Sequence, residues 1–145
     1  MLDTSKIGTQ FDPFVVDVEA GRLRFFAQTV GENNPIYSDK SAAIAAGYRD
    51  IPAPPTFTMV LDTGGSSLME LFSLLELDIS RILHGSQSFE YFETIYSGDR
   101  ITVNSRISDI YDKKQGALEF IILESSYLNS EGSLVARSEN TLVYR

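Results

Sequence analysis

The chain has no cysteine and only one histidine, His84, which narrows the chemistry that it can carry. Without cysteine there is neither a disulfide framework nor a thiolate metal site. A single histidine cannot form a histidine-rich metal site. We therefore expect no disulfide and no bound metal.

Long apolar runs and excess positive charge are also missing. No stretch reaches the roughly 20 apolar residues of a membrane-spanning helix, and the N-terminal MLDTSKIGTQFDP lacks the apolar core of a secretory signal. The formal net charge is -8 and the pI is about 4.5. Because an acidic surface repels nucleic acid and anionic membranes, we expect a cytoplasmic protein with neither partner. An anionic ligand held by a few local arginines is still allowed.

The composition suits one globular domain over residues 1–145, because 43% of the residues are hydrophobic. The segment DVEAGRLRFFAQTVG predicts a helix with Asp17 as its N-cap and Gly31 at its end. The apolar residues at helical spacing in this segment are Leu23, Phe26 and Val30.

Two further helical regions follow. The alanine-rich SDKSAAIAAGY predicts a short helix with Ser38 or Asp39 as its cap. The prolines of DIPAPPTF predict an extended, rigid stretch. The next segment, TFTMVLDTGGSSLMELFSLLEL, predicts a buried helix, a break at Gly64-Gly65 and a second short helix. The two glycines are expected mainly to serve packing, with room for a long acyl chain as the alternative.

After Asp78 the pattern changes to strands. HGSQSFEYFETI alternates between two faces, and a longer strand places Ile101, Val103, Ser105 and Ile107 on one side. Two more strands follow turn-rich connections at 113–116 and 129–132. Helices followed by about four antiparallel strands predict an α+β fold with a helix packed on one face of a curled sheet. Edge strands that pair across a two-fold axis predict a dimer.

Three motifs together resemble the MaoC-like hot-dog dehydratases and (R)-specific enoyl-CoA hydratases over almost the whole chain. Gly31 to Tyr37, GENNPIY, is similar to the family motif G-D-x-N-P-[LI]-H. Ala53 to Phe57, APPTF, stands where active members have a turn similar to A-H-G-M. Leu83 to Gln87 and Ser97 to Asp99 resemble the N-terminal, non-catalytic half of two-hot-dog hydratases. The resemblance implies a hot-dog fold, an antiparallel sheet wrapped around a central helix.

The resemblance also implies the chemistry. Dehydration of an (R)-3-hydroxyacyl thioester, or hydration of a trans-2-enoyl thioester, needs an acid–base pair and an N–H aimed at the thioester oxygen. Here Glu32 replaces the motif's Asp, and Tyr37, a poor base at neutral pH, replaces its His. The glycine that offers its N–H in active members aligns with Pro54 or Pro55, and proline has no N–H.

The expected catalytic residues are Glu32, Tyr37 and His84. A solvated surface carboxylate is an equal alternative for Glu32, and a core ring with its hydroxyl satisfied is an equal alternative for Tyr37. A lone histidine such as His84 is more often structural than catalytic. If the chain works unaided, Glu32 with His84 is the available acid–base pair. By their place in the matched motifs, substrate contacts are expected from Asn34, Pro55, Thr56 and Gly85. Coenzyme A would need basic residues for its phosphates; the candidates by sequence proximity are Arg49, Arg81 and Arg100.

Three functions remain open at this point. The first is a hydro-lyase that acts on acyl-CoA or acyl-carrier thioesters without a cofactor. The second is a catalytically silent acyl-binding subunit that shapes the acyl site for a hot-dog partner that keeps the Asp and His. In either case the expected assembly is a homodimer or a heterodimer with another hot-dog protein. The resemblance to mycobacterial fatty-acid dehydratases, whose catalytic subunit pairs with one lacking both residues, suggests the second function. The third and weakest is an acyl-CoA thioesterase, because hot-dog folds also carry that activity.

Overall fold

The computed structural model describes residues 1–145 and contains one five-stranded antiparallel sheet. The sheet order is β1-β3-β4-β5-β2, so that β1 and β2 form its two edges. The strands are β1 (Phe14–Asp17), β2 (Ile82–Tyr91), β3 (Arg100–Lys113), β4 (Leu118–Leu128) and β5 (Leu134–Tyr144). The predicted α+β fold with an antiparallel sheet is confirmed, and β1 is a fifth strand that the sequence did not predict.

Four α-helices precede or interrupt this sheet: α1 (Ala20–Thr29), α2 (Lys40–Ala45), α3 (Thr58–Leu61) and α4 (Ser67–Leu74). The prediction that Asp17 caps α1 is wrong, because Asp17 ends β1 and Glu19 occupies the N-cap position without a side-chain hydrogen bond. The cap of α2 is Asp39, as predicted, whose Oδ1 accepts hydrogen bonds from the N–H groups of Ser41 and Ala42.

Alternation along the strands separates the core from the solvent. On β3, Ile101, Val103 and Ile107 are fully buried against the helices, as the sequence predicted. The core forms two apolar clusters on the inner face of the sheet. The first cluster includes Leu23 of α1 and Leu61 of α3. The second includes Leu71 of α4 and Phe11 of the N-terminal segment. The helices therefore fill the concave face from two ends.

The central helical segment breaks between α3 and α4, as predicted, in a 3₁₀ turn at Asp62–Gly64 followed by Gly65. A Cβ added at Gly64 would lie 2.5 Å from Val16 Cγ2, and one added at Gly65 would overlap the Phe14 ring. The glycines therefore let β1 pack closely against the break, and the alternative that they leave room for an acyl chain is wrong.

The central segment is less buried than its apolar composition predicts. Met59 of α3 is 45% exposed, and Leu68 and Met69 of α4 are 44% and 59% exposed. None of the helices combines the length and the hydropathy that crossing a bilayer requires.

We expect Gly64→Ala to destabilise the protein by about 1–3 kcal/mol, because the new methyl group must displace the buried Val16 side chain. Gly21→Ala in α1 is the matched control, since nothing lies within 4 Å of its added Cβ. That substitution should stabilise the helix by up to about 1 kcal/mol. Chemical denaturation of the three proteins measures both effects, and equal stability of Gly64→Ala and the wild type would contradict the packing argument.

Candidate functional site

The GENNPIY loop is organised by its own side chains. Glu32 Oε1 accepts a hydrogen bond from the Asn34 N–H at 2.9 Å. Asn34 Oδ1 accepts one from the Ile36 N–H at 3.2 Å and so caps the 3₁₀ turn Pro35–Tyr37. The carboxylate and the amide of this motif therefore shape the loop. Glu32 and Asn34 are exposed, while Tyr37 is partly buried.

Tyr37 lines a cavity of about 290 Å³ between the GENNPIY loop, the proline stretch and the C-terminal end of β2. This volume is at the lower end of the range for small-molecule sites. The complete lining is Tyr37, Tyr48, Pro52, Ala53, Pro54, Pro55, Thr58, Tyr91, Phe92, Glu93, Thr94 and Ile95.

The proline wall of this cavity offers no amide donor at Pro54 or Pro55, because neither residue has an N–H. The Tyr91 hydroxyl donates a hydrogen bond to the Pro55 carbonyl and thereby fastens the wall to the end of β2. Thr58 Oγ1 is buried in the same wall and has no hydrogen-bond partner. Hydroxyl groups rather than backbone amides are thus the polar groups nearest to this wall.

The pKa values of Tyr37 and Tyr91, two of the three tyrosines that line the cavity, are raised. Burial raises the pKa of Tyr37, and the negative charge of Glu32 raises it further. Burial also raises the pKa of Tyr91, an effect that the neighbouring Thr58 hydroxyl partly offsets. Near neutral pH both side chains are therefore neutral phenols and poor bases. The Tyr91 hydroxyl already donates to the Pro55 carbonyl, so Tyr37 is the one of the two that can donate to a ligand.

Only two of the predicted site residues lie in the lining of the cavity. Tyr37 and Pro55 line the cavity, whereas Glu32 and Asn34 support the loop beside it. Thr56, in the turn Pro55–Phe57, is exposed and does not line the cavity.

His84 and Gly85 lie near the N-terminal end of β2, at a β-bulge. At about 3.3 Å per residue, the seven residues to Tyr91 place His84 roughly 20 Å from the cavity. His84 Nε2 interacts with Gln87 Oε1 at 3.3 Å, whereas Glu32 interacts with the GENNPIY loop. The predicted Glu32–His84 pair is therefore not assembled within this chain. The motif analysis missed eight of the 12 lining residues, which are Tyr48, Pro52, Thr58, Tyr91, Phe92, Glu93, Thr94 and Ile95. The alternation of β2 placed Tyr91 on a face but could not indicate which loop it meets.

A larger concavity, of about 840 Å³, is lined by residues of β2, β3, β4 and β5 and of the N-terminal segment, away from the GENNPIY loop. Its walls carry charged side chains of both signs, including Arg106, which forms an ion pair with Glu124 at 2.6 Å. Only two of its 15 lining residues are hydrophobic. An open trough with paired charges lacks the apolar lining of a small-molecule site, so the smaller cavity is the candidate site.

A separate polar cluster lies beneath the break in the central helix. The Tyr127 hydroxyl donates to Asp62 Oδ1 at 2.8 Å and lies 2.8 Å from Ser138 Oγ. Burial raises the pKa of Asp62 to about 6, although hydrogen bonds from Tyr127 and Ser125 limit the rise. Burial and the Asp62 charge also raise the pKa of Tyr127. These bonds tie the 3₁₀ turn to β4 and β5.

Comparisons with known proteins agree with this fold and motif arrangement. The family model described as "FAS1-like, dehydratase domain region" matches residues 5–138. A UPF0336 protein of Saccharopolyspora erythraea is 34% identical over 145 residues, which cover 99% of this chain and 92% of the relative.

Solved structures show the same fold at lower identity. A chain of the HadBC (3R-hydroxyacyl-ACP dehydratase) complex of Mycobacterium tuberculosis superposes with a TM-score of 0.81 at 24% identity, covering 95% of this chain and 96% of that one. A MaoC-like dehydratase gives 0.84 at 22% identity, covering 97% of this chain and 42% of that one. A chain of the ChsH1–ChsH2 complex of M. tuberculosis gives 0.73 at 20% identity, with coverages of 93% and 83%. The predicted MaoC-like hot-dog fold is confirmed.

Asp62 predicts a specific pH dependence of stability. Between its ordinary pKa of 3.8 and about 6 in the folded protein, the folded state binds more protons than the unfolded state. The contribution of Asp62 to the free energy of unfolding therefore falls as the pH rises through this window, by at most about 3 kcal/mol. Asp62→Asn keeps an acceptor for Tyr127 and removes this dependence, so its stability gain over the wild type should grow from pH 4 to pH 7.

Urea denaturation at several pH values measures this difference. Glu139→Gln, which removes an exposed carboxylate on the outer face of β5, is the control and should keep the wild-type slope. Parallel pH profiles for Asp62→Asn and the wild type would show that the buried carboxyl does not carry the effect.

Proposed function

Because this chain belongs to the FAS1-like dehydratase-region family, we propose that it is an acyl-thioester-binding subunit of a MaoC-like dehydratase. In this proposal the ligand is an (R)-3-hydroxyacyl or trans-2-enoyl thioester. The chain contributes a binding cavity, and a partner chain contributes the acid–base pair. One observation carries the proposal: the cavity contains Tyr37, three prolines and a single carboxylate, Glu93, whereas the expected acid–base pair of Glu32 and His84 is outside its lining.

The chemistry of the cavity argues for binding rather than for turnover. Proton abstraction beside a thioester needs a base, and the enolate that develops needs a donor at its oxygen. Tyr37 keeps its proton near neutral pH because its pKa is raised. Pro54 and Pro55 offer no N–H on the wall where active relatives place one. Neutral phenol and hydroxyl groups in an aromatic cavity suit recognition of a carbonyl oxygen.

The proposed partner is a second hot-dog chain that pairs along β2. This strand has a neighbour only on its β5 side, so its other edge presents unpaired backbone groups. Its C-terminal end carries Tyr91 and is followed by Phe92, which are 46% and 47% exposed and line the cavity. A chain docked on this edge would cover both rings and enlarge the cavity. The structural relatives described as HadBC and ChsH1–ChsH2 are complexes of named pairs, which favours a hetero-oligomer over a homodimer.

A second candidate function is weak hydro-lyase activity of this chain alone. It is favoured by the proximity of Glu32 to Tyr37, since the carboxylate charge raises the Tyr37 pKa. In that case Glu32 would exchange the proton and Tyr37 would donate to the thioester oxygen.

We expect the purified chain alone to hydrate neither crotonyl-CoA nor longer trans-2-enoyl-CoAs. Activity should appear when it is mixed with a hot-dog partner that carries the intact Asp–His motif, and Glu32→Gln should leave the activity of the mixture within about twofold. A spectrophotometric hydration assay measures turnover, and a thiol reagent in parallel detects thioesterase activity.

Hydration by the chain alone, lost in Glu32→Gln, would favour the second candidate. Thiol release without hydration would contradict both candidates and favour the thioesterase alternative.

We further expect Thr94→Trp to abolish binding of a trans-2-enoyl thioester, because Thr94 is an exposed residue on the cavity wall and an indole would fill the space. Gln28→Trp, at an exposed position of α1 outside the cavity lining, is the matched control and should bind as the wild type does. Isothermal titration calorimetry measures both. Equal affinity of the two variants would place the ligand elsewhere.

A further inference from the structure

We propose that this cavity recognises only the uncharged part of a carrier thioester, that is, the acyl group, the thioester and the adjoining pantetheine. The phosphates of the carrier, whether coenzyme A or a carrier protein, are then held by another chain or by solvent. This inference rests on the proposed function and narrows the part of the ligand that this chain binds.

The cavity itself contains no cation. Its 12 lining residues include no lysine and no arginine, and the one charged residue among them is Glu93. A phosphate placed in or at the mouth of this cavity would meet a carboxylate of like charge and no compensating ammonium or guanidinium group.

The cations on the segments next to the cavity are already paired with carboxylates. Arg49, which follows the cavity residue Tyr48, forms an ion pair with Asp99 at 2.6 Å and lies 4.1 Å above the Tyr96 ring centroid. Lys40 Nζ forms an ion pair with Asp50 Oδ2 at 2.8 Å. Binding a phosphate at either cation would place the phosphate beside the existing carboxylate, so the net attraction is small.

The other two arginines predicted as phosphate ligands are likewise engaged. Arg100 lies 3.2 Å from Asp17. Arg81 donates to the Arg145 carbonyl at 2.6 Å and packs 4.4 Å above the Tyr144 ring centroid, at the far end of β2 and β5. None of the three arginines therefore provides a free guanidinium near the cavity.

Two further arginines lie near the cavity and are not paired with a carboxylate in the same way. Arg137 lies over the Phe92 ring at 5.7 Å; Glu90 is opposite it on β2 but forms no ion pair with it, so Arg137→Gln belongs in the same test as Arg24→Gln. Arg24 Nε donates to the Ser38 carbonyl at 2.8 Å and leaves its terminal nitrogens free. Arg24 is thus the cation next to the GENNPIY loop that could bind a phosphate. Substituting it tests the proposal most directly.

Negative charge near the cavity also acts on the Tyr37 hydroxyl. The Glu32 carboxylate raises the pKa of Tyr37, which means that it disfavours a second negative charge at the Tyr37 hydroxyl. The same field disfavours a phosphate there but permits a carbonyl oxygen, which accepts a hydrogen bond without carrying a full charge. The Thr58 hydroxyl, buried beside Tyr91, adds an uncharged polar group to the same wall.

The test compares trans-2-octenoyl-pantetheine, which has no phosphate, with trans-2-octenoyl-CoA by calorimetric titration of the full chain. We expect the phosphates of CoA to add little affinity, so the Kd of the CoA ligand should be at least about one third of the Kd of the pantetheine ligand. Its Kd should not rise between 50 and 500 mM NaCl, because screening weakens only an attractive ion contact. Arg24→Gln and Arg137→Gln should each leave both affinities unchanged, while Tyr37→Phe should weaken both ligands by the same factor.

Three results would overturn the inference. They are at least tenfold tighter binding of the CoA ligand than of the pantetheine ligand, a Kd for CoA that rises steeply with salt, and a loss of CoA affinity alone in Arg24→Gln or Arg137→Gln. These results would leave the proposed function standing, since the thioester would still bind. Failure of both ligands to bind would instead contradict the proposed function itself, and this inference would fall with it.

Discussion

The close contact between β1 and the break in the central helix is the constraint on which the rest of the molecule depends. Gly64 lies directly against Val16, and Gly65 lies against Phe14, so that α3 and α4 can approach the sheet edge without intervening side chains. The Asp62–Tyr127 hydrogen bond fastens the same turn to β4 from the other side. With its C-terminal end fixed in this way, α3 holds Thr58 and the proline stretch before it in one position. The position of the proline wall of the cavity therefore depends on packing at the helix break, which lies outside the cavity.

That wall determines which groups the cavity presents to a ligand. Prolines fix the backbone at the entry to the central helix and remove two amide donors there. The Tyr91 hydroxyl then binds the Pro55 carbonyl, which makes the wall rigid without making it electrophilic. In the GENNPIY loop, Glu32 accepts a hydrogen bond that holds the loop, and Tyr37 faces the cavity as a neutral phenol. A cavity with this lining can orient a ligand, and the one carboxylate in its lining is Glu93.

The sequence predicted the elements that are determined locally. Asp39 caps α2 through bonds to the next two or three residues, and the alternation of Ile101, Val103 and Ile107 defines the inner face of β3. It missed β1, because four residues show too little alternation to be recognised and their pairing with β3 is a long-range contact. The lining of the cavity could be predicted only in part, again because some of its residues meet through long-range contacts. Tyr37 and Pro55 belong to a motif, whereas Tyr91 joins them only after β2 has paired with β5.

The distribution of charge argues that the cavity is one part of a larger site. Acidic chains of this size often carry a local cluster of basic residues when they bind phosphates. Here Lys40 and Arg49 are paired with Asp50 and Asp99, Arg24 and Arg137 stand apart from each other, and the only charge inside the cavity is Glu93. At the same time, the edge of β2 and the exposed rings of Tyr91 and Phe92 leave the cavity open on one side. In the proposed complex, a partner chain on that side would supply a cation for the phosphates of the carrier. The same surface of the partner would supply the base that acts on the thioester.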